Sequence, residues 1–135
     1  MQYTSILHRV VGVVTVIAFL GTGMYMRRYL PEPSLATHLL RMLYRSSHVY
    51  LLLSGLISIA LGSYFVPSQS RSVRALQGAG SFLVLLAPAL ILVAFFYESP
   101  EQRQDRPLIV AAMVSLLAGT LLHLLASSGS STTKV

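Results

Sequence analysis

The sequence predicts an all-α integral membrane protein, a bundle of four transmembrane helices with an amphipathic segment before the second. Three observations carry this prediction. Only 10% of the residues are charged and 54% are hydrophobic, whereas a soluble domain carries about a quarter charged residues. The charges are also segregated: 17 uncharged residues separate Arg9 from Arg27, 25 separate Arg45 from Arg71, 23 separate Arg74 from Glu98 and 27 separate Arg106 from Lys134. A bilayer-spanning helix takes roughly 17–25 predominantly apolar residues, so four spans fill the chain. Finally, aromatic residues such as Tyr3, Tyr25, Tyr29, Tyr64, Phe95 and Tyr97 fall near the expected helix ends, where amphipathic rings favour the headgroup level.

The first helix is expected over 6–26. No small-x-small cleavage pattern precedes "MRRYLPEP", so it reads as a retained helix and not as a cleaved signal. Pro31 and Pro33 then break the chain, and Ser34 is suited to cap the next helical segment. In "SLATHLLRMLYRSSH" the side chains of His38, Arg41, Arg45 and His48 recur at helical spacing, with Leu35, Leu39 and Met42 on another face. That segment either lies in the headgroup region or extends the second helix outward. The second helix itself is expected over 49–66, stopping before Pro67. "PSQSRSVRALQGAGS" reads as a polar turn, and the third helix as 79–97 with a proline kink at Pro88. "ESPEQRQDRP" is the second turn. Pro107 is a good first residue for a helix over 107–126. The bundle is thus a single domain over 1–126, followed by a polar tail over 127–135.

The formal charge of +6 sits at helix ends, where it meets lipid phosphates; it does not point to nucleic acid. The expected partners are therefore the lipid bilayer and other membrane subunits or further copies of the chain. The strip of His38, Arg41, Arg45 and His48 is the expected lipid or partner contact. Four spans place both termini on one side. That side holds Arg9, Arg71, Arg74 and Lys134, against Arg27, Arg28, Arg41, Arg45, Arg103 and Arg106 on the other. The positive-inside rule then puts the termini on the non-cytoplasmic side of a bacterial-type inner membrane.

Within a bilayer, helices associate through small residues that let backbones approach. Ser54, Ser58 and Gly62 on the second helix, and Ala111, Ser115 and Gly119 on the fourth, share a four-residue spacing. On the first helix, Gly12 belongs to a stripe that includes His8 and Thr15. These stripes are the expected inward faces.

His123 is four residues beyond Gly119, and His8 four residues before Gly12. Up-down topology brings the two to one end of the bundle, on inward surfaces and at similar depth. Two neutral imidazoles on facing helices can hold the iron of a b-type haem. Arg9, Arg71 and Arg74 lie on the same side and could meet its propionates. In architecture alone this resembles the small helical-bundle b-type cytochromes of bacterial membranes, which implies one-electron transfer. The plainer expectation is two histidines at the water boundary, satisfied by backbone or water in a protein without a cofactor.

Other chemistry has little to stand on. The chain has no cysteine, so thiolate chemistry is absent. All four acids, Glu32, Glu98, Glu101 and Asp105, fall in connections, leaving no intramembrane carboxylate to relay ions. No base and acid accompany the serines. The leading expectation is a non-enzymatic accessory or structural subunit of a membrane complex with no buried charge and no cofactor. The alternative is a haem b electron carrier using His8 and His123.

Overall fold

The computed structural model describes residues 2–32, 34–35, 37–64, 66, 68, 70–99 and 105–128. Among them are four helices: α1 (Gln2–Tyr29), α2 (His38–Tyr64), α3 (Arg71–Tyr97) and α4 (Pro107–Ser128). All four are long and apolar enough to cross a membrane. The fold class read from the uncharged windows is the one found: an all-helical, multi-pass bundle. Of the expected polar tail, positions 129–135 lie outside the described residues, as do Glu101 and Arg103.

Three helix starts differ from the sequence expectation. α1 begins at Gln2 instead of near position 6. The amphipathic stretch does not lie apart: α2 runs unbroken from His38, so its basic residues extend the spanning helix outward. The turn expected over 67–81 is largely helix, because α3 starts at Arg71. Arg, Leu, Ala and Gln are good helix formers, so polarity alone did not mark a turn. α3 also continues through Pro88, which is buried within it.

The helices run up, down, up, down. α1 lies along α2, with Gly12 facing Gly55 and Ile59, and Gly62 facing Ser5 and Arg9. α3 lies along α4, with Gly80 against Gly119. These two hairpins are the tightly packed units; α2 joins them through α3, while α1 meets α3 only locally. The core between them comprises Leu51, Ile91, Ala94, Ile109 and Ala112, continued by Val84, Ala87 and Leu116.

The small-residue stripes are partly rotated from the expected faces. Ser54 and Ser58 are fully buried, and Gly12, Gly62 and Gly119 make the close approaches expected of them. Ala111, however, is exposed and Ser115 only half-buried, while Ala112, Leu116, Gly119 and His123 form the buried line of α4. The reason is geometric. With 3.6 residues per turn, each four-residue step advances about 40° around the helix, so a strict four-residue repeat winds off one face.

A Cβ at Gly119 would lie 2.7 Å from the Gly80 carbonyl oxygen and 3.0 Å from the Val84 backbone nitrogen. Neither atom can yield without moving α3. Gly119→Val is therefore expected to cost about 1–3 kcal/mol, read as a lower thermal midpoint in detergent. Gly21→Ala is the matched control, since a Cβ there meets nothing within 4 Å.

Candidate functional site

Where the two hairpins face each other at the Gln2 end of α1, His8 and His123 come together. Their ring centroids are 6.0 Å apart, with the planes at 79°. α1 starts early enough to set His8 well inside the helix, and α4 brings His123 back to the same level. His8 is 0% exposed and His123 8%. The pairing inferred from spacing is therefore realised, but the water-boundary setting is not: both rings are enclosed by protein.

The two differ in how they are satisfied. His123 Nε2 lies 3.2 Å from the Ser81 hydroxyl of α3, and its ring is seated over Gly80, where a Cβ would approach Cδ2 to 3.0 Å. Among the described residues, neither ring nitrogen of His8 has a hydrogen-bond partner. A neutral imidazole has one donor and one acceptor, and each buried group left unmade costs about 1–3 kcal/mol. Ser58 Oγ is likewise buried without a partner among the described residues. It sits on α2 between Gly55, which faces Gly12 and Thr15, and Gly62, which faces Ser5 and Arg9. Three unsatisfied polar atoms thus share one level of the bundle interior.

The three arginines expected nearby are placed differently. Arg9 donates from Nε to the Gly62 carbonyl at 2.8 Å, beside Ser5 Oγ, which donates to the same oxygen at 2.6 Å. Its Nε therefore clamps α1 to α2. Arg71 is exposed at the start of α3. Arg74 shares a helix face with Gln77 and Ser81, two turns outward from the hydroxyl that meets His123. Its Nη2 lies 3.4 Å from the Ser68 carbonyl.

At the other end of the bundle the four basic-strip residues separate. His48 turns into the α1–α2 interface, with Nδ1 2.9 Å from Thr22 Oγ1 and its ring stacked on Phe19 at 4.0 Å. The Thr22 hydroxyl donates to the Phe19 carbonyl, so His48 is the donor in that contact. Arg41 donates to the Pro31 carbonyl at 2.5 Å. His38 and Arg45 line an open groove on α2.

One cluster was not expected at all. Glu98 is 3% exposed and Arg106 8%, against the expectation of no buried charge. The Glu98 carboxylate accepts from the backbone N–H of Leu108 at 2.6 Å and of Ile109 at 3.3 Å. It caps the start of α4, where free N–H groups favour an anion. Arg106, at φ 38°, donates to Ser46 Oγ at 2.6 Å and to Ser47 Oγ. Burial lowers the Arg106 pKa from its ordinary value, while Glu98 and Tyr50 act in the opposite direction. Both residues lie in a connection by sequence, but chain reversal folds them under α2. Only the Glu98 spacing ahead of Pro107 hinted at the cap.

The fold and the histidine pair define a class, a four-helix multi-pass membrane protein with facing buried histidines. Compared with known proteins, the chain matches no family model, no curated protein and no solved structure.

Proposed function

We propose that this protein is a haem b electron carrier of a bacterial-type inner membrane, in which His8 and His123 would hold the haem iron. The observation that carries this reading is His8: fully buried, with both ring nitrogens unpartnered, facing a second imidazole. Metal–imidazole bonds are about 2 Å long, so two imidazoles that held one ion would need their rings to lie near each other. The separation of 6.0 Å fits that requirement. When bound, the haem supplies a one-electron couple whose potential follows from its axial ligands and the dryness of its surroundings.

The chain's own residues have separable tasks. His8 offers a lone pair that nothing else engages. Ser81 holds the His123 ring through Nε2, so ligation through that nitrogen would require the hydroxyl to give way. Arg74 is the best placed of the three arginines for a propionate, with Arg71 further out. The hairpin seam keeps water from the pair.

The test is an absorption spectrum of the purified protein, with and without dithionite. A Soret band with split reduced peaks is expected; a protein that stays colourless through haem addition rejects the reading. A second reading, a cofactor-free accessory subunit, rests on the Ser81–His123 contact, which already satisfies one of the two rings. Its expected partners are other membrane subunits or further copies of the chain. For orientation, the excess of Lys and Arg at the α1–α2 and α3–α4 connections favours termini outside the cytoplasm. A reporter fused after Val135 should be active on the non-cytoplasmic side; cytoplasmic activity would reverse the assignment.

A further inference from the structure

We infer that the groove on α2 lined by His38, Met42, Arg45, Ser46, Val49 and Tyr50 binds the headgroup of an anionic phospholipid. This site stands independently of the haem reading. The groove has a volume of about 410 Å³ and opens outward. Its two ends differ chemically. His38 is the first residue of α2 and Arg45 lies two turns further in; together they form a basic end at the level where the helix emerges. Met42 lies between these two basic residues, and Val49 and the Tyr50 ring form an apolar stretch continuing toward the bilayer centre. From His38 to Tyr50 the helix rises roughly 18 Å at 1.5 Å per residue, enough to pass from a phosphate layer into the upper acyl chains.

The charge behind the groove points the same way. Arg106 Nη1 donates to Ser46 Oγ from the protein side, and Ser46 Oγ donates in turn to the Leu43 carbonyl. Among the described residues, the Arg106 Nε is buried without a hydrogen-bond partner. The nearby carboxylate, Glu98, is engaged with the α4 backbone. A buried guanidinium therefore lies beneath a basic groove, in a bundle whose helices are apolar and span-length. A phosphodiester between two acyl chains satisfies both halves of the groove. A soluble anion would satisfy only the basic end.

The experiment is native mass spectrometry of the full chain after equilibration in mixed vesicles of phosphatidylglycerol and phosphatidylcholine. Wild-type protein should retain phosphatidylglycerol preferentially. Arg45→Gln should lower that preference about five-fold, the scale of one basic side chain at a charged surface, with His38→Gln acting in the same direction and Arg45→Lys largely restoring it. Arg45 is exposed, and an unchanged thermal midpoint will show that the variant folds. Equal retention of both lipids, or an Arg45→Gln variant that keeps the wild-type preference, overturns the proposal. So does displacement of the lipid by inorganic phosphate, which would mark a site for the free anion.

Discussion

Replacing His8 by leucine is expected to abolish haem binding while making the cofactor-free bundle more stable. The two effects have one cause. Among the described residues, His8 has two buried nitrogens without a hydrogen-bond partner, and a leucine of similar bulk removes both. Each unsatisfied group costs about 1–3 kcal/mol, so the haem-free variant should melt several degrees above haem-free wild type in the same detergent. A histidine kept only for packing would give the stability gain with no spectral loss, because there would be no spectrum to lose. A histidine satisfied by ordered water would give neither. The comparison must be made without haem, since bound haem stabilises the wild type by mass action and would mask the gain. His123→Leu is expected to lose the haem as well, without an equal stability gain, because it also strands the Ser81 hydroxyl.

The second large effect is expected at the opposite end. Glu98→Ala removes the carboxylate that receives the first free N–H groups of α4 and leaves Arg106 buried beside uncharged serines. Breaking a buried charged cluster by removing one member costs about 3–5 kcal/mol, and the lost cap adds to this. Glu98→Gln keeps an acceptor for Leu108 but not the charge, so it should fall between alanine and wild type. The readout is the thermal midpoint, with haem absorbance as a second measure. The site lies near the far ends of α3 and α4, so the Glu98 variants that still fold should keep the spectrum of the histidine pair. If Glu98→Ala left the midpoint unchanged, the cluster would be solvated and its burial without consequence.

The legible and illegible parts of this protein divide along physical lines. Spans were readable because desolvating a charge in a bilayer is costly enough to keep 23- to 27-residue windows such as 75–97 and 107–133 free of it. The His8–His123 pair was readable because topology fixes which helix ends meet, and each histidine stands four residues from a glycine that packs closely. What could not be read were contacts that depend on helix phase between distant elements. Ala111 and Ser115 kept the right spacing but the wrong phase, and Ala112 and Leu116 took their place. His48 looked like part of a basic strip until Thr22 and Phe19 on α1 claimed it. Glu98 and Arg106 looked like loop charges, since nothing in the linear sequence says that Ser46 and Ser47 will lie against them. The unsatisfied state of His8 is likewise invisible in sequence, because it concerns what surrounds the ring and not which residue it is.

Electron paramagnetic resonance of the oxidised, haem-loaded protein tests most directly whether His8 and His123 ligate one haem iron together. Two strong-field imidazoles would give a low-spin ferric signal. His8→Ala and His123→Ala should each lose it. A high-spin signal in the wild type, or a low-spin signal that survives either substitution, would contradict shared ligation by the pair.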